Sequence, residues 1–277
     1  MIRLGHIDYS NCVPVHARLL SEPGAAGVEI VTGVPADLNA RLAAGELDVA
    51  PASSIEYVRH RTEYRLLPDL AIGSDGAVRS ISLESAVPVE SLGSALVCVP
   101  GASATSVVLL RILLEVFRGL QPRYQWYDQD DAADPIREGA VAVLRIGDVA
   151  LRRSAPPGRV VLDLGADWNR WTGLPFVYAV WQARREVPAA ELGRLYDRLR
   201  ESREWFVRGA ARLAELYAPR FRLAPDVLLG YWSSLRYDLD ERMQRGLLEF
   251  YRLAERVGEP TAPALEWAVE PAERGRL

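Results

Sequence analysis

The 277-residue chain is 49% hydrophobic and 25% charged, with a formal net charge of −4. That is the balance of a soluble globular protein, with room for one large domain or two ordinary ones. All 33 basic residues are arginine, which excludes Schiff-base and pyridoxal-phosphate chemistry and the lysine of a phosphate loop. The arginines are spread along the chain as solvated helix faces, leaving no basic field for nucleic acid.

Cys12 and Cys98 lie far apart and share no CxxC or Cys/His spacing, so both are expected as reduced thiols. The histidines (His6, His16, His60) show no HExxH pattern, and no metal is expected from them. The chain opens on a strand pattern, with no basic region leading into an apolar one. No apolar run approaches the ~20 residues a bilayer requires. The expected location is the cytoplasm, without membrane or nucleic-acid partners.

In chain order, residues 2–7 read as a strand and 14–20 as a short helix. Residues 28–32 are a strand, and 35–44 a helix with Pro35 near its start. Residues 47–51 are a buried strand, followed by a helix from Ser53 or Ser54 to about His60. This alternation predicts a largely parallel sheet covered by helices. Residues 66–70 and 77–83 then read as extended, with no helix between them. A second series follows: strand 95–99, helix 103–117 with Val107, Leu110, Leu114 and Phe117 at helical spacing, strand 123–127 and short helix 134–138. Strands 141–146 and 160–164 come next, then a long apolar strand at 175–182. The last third predicts helices over 189–217, 224–235 and 240–257, with 258–277 as a tail. Two βα series joined by two extended crossings imply two lobes, the second inserted into the first, with the C-terminal helices packed back on the first lobe. The expected division is 1–85 plus 180–277 for one lobe and 86–179 for the other. That is the plan of an α/β, two-lobed, periplasmic-binding-protein type II-like fold with a ligand cleft between lobes.

The most informative stretch is the run from Val97 to Ser106. A strand stops at Pro100-Gly101, and Ser103, Ala104, Thr105 and Ser106 open an apolar helix. The first backbone N–H groups of a helix lack intrahelical partners and carry the positive end of its dipole, so small side chains there let an anion approach. Two other loops repeat the theme. Tyr9, Ser10 and Asn11 follow the first strand, where open α/β sheets place ligands; Ser10 or Asn11 equally suits the cap of the next helix. Ser53 and Ser54 end the third strand, and Ser54 equally suits a cap. Asp148 offers a carboxylate at a further strand end, or caps the helix at 149–153. Ser80 lies on the first crossing and so at the expected cleft floor, with Arg79 as the nearest carboxylate clamp or a surface ion pair. Trp168 and Trp171, before the second crossing, suit either a ring-sized pocket or hinge packing. The ligand these loops suit is small, polar and anionic.

Taken together, the segments from Gly5 to Pro14, Val34 to Asn39, Gly45 to Tyr57 and Leu67 to Ile72 resemble the chorismate dehydratases of the futalosine route to menaquinone. The resemblance continues through Ser103-Ala104-Thr105-Ser106, Ile146-Gly147-Asp148, Asp163-Leu164-Gly165 and Trp171 to Phe176. It runs in family order from residue 3 to about 181. It implies loss of water from chorismate to give 3-[(1-carboxyvinyl)oxy]benzoate, on a periplasmic-binding-protein fold, without a cofactor. It implies Asn11 and Ser80 as catalytic residues. As substrate contacts it implies Tyr9, Ser53, Ser54, Ser103, Ala104, Thr105, Ser106, Asp148, Thr172 and Gly173. Ser10, expected among these contacts, stands where the family usually has leucine. Asn11 can orient a ring hydroxyl but is no base, so the base is expected to be a carboxylate, the substrate's own included. Thr105 is expected to serve affinity more than turnover. Two other readings remain. A sister enzyme making 1,4-dihydroxy-6-naphthoate typically opens on Ser-Pro-Cys-Pro-Asn-Asp-Thr and uses a later histidine, neither of which is present. A non-catalytic receptor of small carboxylates shares the fold, but would be expected to carry a signal peptide.

Overall fold

The computed structural model describes residues 1–22, 27–130, 133–262 and 264–271. Two sheets organise them. The first has the order β11-β4-β10-β3-β1-β2. Its strands are β1 (Ile2–Ile7), β2 (Val28–Gly33), β3 (Val49–Ser53), β4 (Tyr64–Ser74), β10 (Phe176–Arg184) and β11 (Leu235–Arg236). β1 runs parallel to β2 and β3, and β10 pairs antiparallel with both β3 and β4. The second sheet has the order β7-β6-β8-β5-β9. It comprises β5 (Ile81–Ser85), β6 (Leu96–Pro100), β7 (Arg123–Tyr127), β8 (Ala142–Ile146) and β9 (Val160–Asp163). Central strands such as β3 and β8 are buried throughout; β3 is a run of small and apolar residues, and the one charge in β8, Arg145, is paired with Glu84 at 3.2 Å.

The chain crosses between sheets twice, at 75–80 and 173–175. Both crossings need left-handed backbone: Arg79 has φ 66° and Gly173 φ 69°. The exchange falls a few residues away from where the sequence places it. Residues 81–85, expected with the first lobe, pair with β8 and β9 in the second sheet. Residues 176–179, expected with the second, pair with β3 and β4 in the first. In each case the extended run supplies sheet hydrogen bonds as soon as it leaves the crossing.

The helices are α1 (Val13–Ser21), α2 (Pro35–Ala43), α3 (Ser54–Arg59), α4 (Ala104–Arg111), α5 (Gly147–Arg152), α6 (Leu164–Thr172), α7 (Ala189–Phe221), α8 (Pro225–Ser234) and α9 (Glu241–Ala254). α7 buries Leu192, Leu195, Tyr196, Leu199, Phe206 and Leu213, and its Ser202 accepts from the Arg18 N–H of α1 at 3.0 Å. α9 packs on β10, where Phe250 meets Phe176 edge-on at 4.9 Å between ring centres. The C-terminal helices thus cover the first sheet. No described helix is long and apolar enough to cross a membrane.

Four expectations change. The helix expected at 103–117 ends as α4 and continues as a single π-helical turn, Ile112–Val116. In place of the helix expected at 134–138, residues 135–139 form a turn; the Asp134 carboxylate before it accepts from Ile136 N at 3.3 Å and from Arg159 and Arg145 at 2.7 and 3.3 Å. The aromatic segment at 167–172, read only as the approach to the crossing, lies within α6. The supposed tail is anchored: Leu66 donates to Glu266 O and accepts from Ala268 N, both at 2.8 Å. Within the tail, Pro263 and residues 272–277 lie outside the described residues.

Candidate functional site

A cavity of about 480 Å³, its open mouth included, lies between the sheets. Its polar lining is Tyr9, Asn11, Ser53, Ser80, Ser103 and Ser106, with Tyr178 beside them. These arrive from the carboxyl ends of β1 and β3, the first crossing and the start of α4. The remaining lining groups include Ile7, Ile72, Ile146 and Gly147, so no described cation, carboxylate or imidazole faces the space.

Tyr9 lies on the end of β8. A Cβ on Gly147, which has φ 63°, would stand 3.1 Å from the Tyr9 ring, so glycine is needed there for both backbone and space. Gln129 donates to the Tyr9 hydroxyl at 3.4 Å and accepts from Ile146 N at 3.2 Å. Burial pushes the Tyr9 phenol up to about 12, which keeps it a protonated donor at neutral pH. Asn11 lies in the 3-10 turn Ser10–Cys12. Its Oδ1 is buried and has no hydrogen-bond partner in the structure, an arrangement that awaits a donor from a ligand.

Ser80 is 2% exposed and accepts a 2.8 Å hydrogen bond from the buried Tyr231 of α8. The backbone just before it is held by Asp163. That carboxylate caps α6 through Ala166 N at 2.9 Å and also accepts from Val78 N at 3.0 Å and Arg79 N at 2.6 Å. Ser103 caps α4, accepting from Ser106 N at 3.4 Å, and the two hydroxyls lie 2.9 Å apart.

Other expected contacts are occupied elsewhere. Ser10 is fully buried. Its N–H donates to Asp148 Oδ2 at 3.0 Å, its hydroxyl to Asp148 Oδ1, and its carbonyl accepts from Trp232 at 2.8 Å. Ser10 and Asp148 therefore satisfy one another across the lobes. Burial raises the Asp148 carboxyl against the lowering effect of the Ser10 bonds. Ser54 does not cap α3; its hydroxyl donates to Val177 O at 2.9 Å and lies 3.3 Å from the Thr105 hydroxyl. Thr105 also accepts from Ile55 N at 3.2 Å, so it ties α3 to α4 outside the cavity lining. Ala104 faces a separate outer groove with Val107 and Trp126. Thr172 bonds within the end of α6, donating to Trp168 O and accepting from Leu174 N, and Gly173 supplies the left-handed residue that closes it. Arg79 is exposed, and Trp168 is core packing. Tyr231, Tyr178, Gln129 and Asp163 were not foreseen as site residues. An aromatic residue, glutamine or capping aspartate carries no local signal when its partner is 85 to 151 residues away.

Among the described residues one cluster has ligand atoms suited to a metal: His6, Cys12 and His16, all buried, within 4.8 Å of one another. Trp181 Nε1–H donates to His16 Nε2 at 3.1 Å. The His16 proton is thereby placed on Nδ1, which lies 3.0 Å from His6 Nδ1. Metal ligation at His16 Nδ1 would move that proton to Nε2, against the indole N–H. The donor set does not fit a metal and reads as a hydrogen-bonded core.

A family model described as menaquinone biosynthesis matches residues 2–256. A curated relative from Thermus thermophilus, a chorismate dehydratase, is 34% identical over 94% of this chain and 96% of its own length. A chorismate dehydratase from Campylobacter jejuni is 32% identical over 63% of this chain and 64% of its own. Among solved structures, a protein from Archaeoglobus fulgidus superposes with a TM-score of 0.79 at 20% identity, covering 93% of this chain and 97% of that one. The periplasmic aliphatic sulphonate binding protein of Escherichia coli superposes with a TM-score of 0.69 at 15% identity, covering 100% and 94%. These two likenesses show a shared periplasmic-binding-protein fold.

Proposed function

The chain belongs to the menaquinone-biosynthesis family, and from that premise we propose that it is a chorismate dehydratase. In this reading it is a hydro-lyase of the futalosine route, giving 3-[(1-carboxyvinyl)oxy]benzoate. The observation that carries the reading is the full-length match to a chorismate dehydratase. The cavity chemistry supports it. Dehydration removes the ring C3 proton and the C4 hydroxyl as one water, and aromatisation of the ring drives it, so orientation matters more than base strength. The cavity supplies hydroxyl and amide groups on several sides. Asn11 Oδ1 is the acceptor offered to the ring hydroxyl, and Ser80 the hydroxyl beside it. Ser103 and Ser106, at the start of α4, suit a substrate carboxylate. With no described carboxylate or imidazole in the lining, the proton acceptor in this reading is one of the substrate's own carboxylates.

The two sheets support a division into lobes that meet at 75–80 and 173–175. The free, buried thiols of Cys12 and Cys98 support a cytoplasmic enzyme. Mixing the purified protein with chorismate and following the aromatic product tests the reading. The expected result is product formation without added cofactor. Chorismate binding with no product would overturn it in favour of a receptor.

A further inference from the structure

The phenol of Tyr231 lies outside the cavity lining, yet it touches Ser80, one of the two groups assigned to the reaction. Tyr231 is 1% exposed, held on α8 directly before Trp232, whose indole donates to Ser10 O at 2.8 Å. Its O–H donates to Ser80 Oγ at 2.8 Å. A serine oxygen that accepts on that side must send its own hydrogen elsewhere, and the open direction for Ser80 is the cavity it lines. Asn11, which lines the same cavity, keeps its Oδ1 buried and unpartnered.

We infer that Tyr231 is a positioning residue that sets the polarity of Ser80: its phenol makes Ser80 a donor toward the substrate's ring hydroxyl, while Asn11 Oδ1 is the acceptor left open at the same cavity. The chain of donation runs from Tyr231 O–H to Ser80 Oγ, and from Ser80 O–H to the cavity. A C4 hydroxyl seated there donates its hydrogen to Asn11 and accepts from Ser80. The Ser80 hydrogen bond then strengthens as negative charge develops on the departing oxygen. Without the phenol, the serine hydroxyl is free to reverse. The cavity keeps its shape but loses its fixed pattern of donor and acceptor.

This inference rests on the dehydratase reading, and the test separates the two. In Tyr231→Phe, kcat is expected to fall about ten- to a hundredfold while KM changes less than about threefold, as for loss of an interaction made mainly in the transition state. Tyr231→Phe in a Ser80→Ala background is expected to add less than about threefold further loss, because the phenol acts through that serine. A Tyr231→Phe variant that keeps kcat within about twofold of the parent overturns the inference. So do losses that multiply in the double variant. If the parent protein makes no product, the dehydratase reading fails on its own, and the same cycle is run on chorismate affinity by calorimetry. Non-additive losses then uphold the polarity device, and additive losses overturn it. If Tyr231→Phe does not fold, 3-fluorotyrosine placed at 231 keeps the ring and makes the phenol a stronger donor. A changed kcat, or a changed chorismate affinity if there is no turnover, at an unchanged melting temperature supports the inference. The parent's value overturns it.

Discussion

Two buried histidines, nitrogen to nitrogen at 3.0 Å, are compatible with folding only while both are uncharged. Burial holds His6 down to about 4, helped by the Arg220 guanidinium, and pushes His16 well below its ordinary value, with His6 adding to the effect. The unfolded chain therefore takes up protons first. The stability due to this pair is complete above the ordinary histidine value near 6.5 and is lost as pH falls toward about 4. At about 1.4 kcal/mol per pH unit, His6 alone accounts for roughly 3 kcal/mol. Urea denaturation between pH 7.5 and 4 should show that loss in the parent and a shallower one in His6→Gln. Equal slopes would remove His6 from the account. Ser10 shows where reading single residues stopped. Its place in a small polar loop after a strand is visible in the sequence, but its purpose is not, because the Asp148 carboxylate it satisfies comes from 138 residues away. Ser10→Ala should cost about 1–3 kcal/mol by leaving that buried carboxylate short of a donor, and adding Asp148→Asn should recover part of the loss.

Elements were legible where local pattern and tertiary role agree. β1 and β7 fall where alternation and β-branched or aromatic residues place them, and α9 follows its apolar stripe from an Asp240 cap that accepts from Met243 N at 2.8 Å. α6 is hidden in the sequence because it starts directly after β9, with no intervening loop, and its tryptophans suit a pocket or a hinge as well as a helix. What starts it is Asp163, and that residue also holds the neighbouring crossing. Asp163→Ala should cost about 1–2 kcal/mol through the lost cap. It should also lower kcat, because Val78 and Arg79 lose the acceptor that seats Ser80. Denaturation and steady-state kinetics on one preparation check both, and a stability loss with unchanged kcat would separate the cap from the site.

At the scale of the molecule, the lobes are joined by polar ties as well as by crossings. Ser10 meets Asp148, Tyr9 meets Gln129, and Thr105 meets Ile55 and Ser54. Thr105 was expected as a substrate contact, but its hydroxyl is already used between α3 and α4. Thr105→Val leaves the buried Ile55 N–H without an acceptor and should destabilise by about 1–3 kcal/mol. Looser lobes should then raise KM, with a larger radius of gyration in solution scattering. An unchanged radius would show that the crossings alone set closure. By itself the sequence determined the α/β class, the two βα series and the small polar loops at strand ends, because periodicity, caps and turn residues act over a few positions. Only the tertiary structure decided which hydroxyls face the cavity and which are spent on one another. A hydroxyl's hydrogen bond goes to whatever donor or acceptor folding brings within 3 Å. For Ser10, Ser80 and Thr105 that partner is 50 or more residues away along the chain.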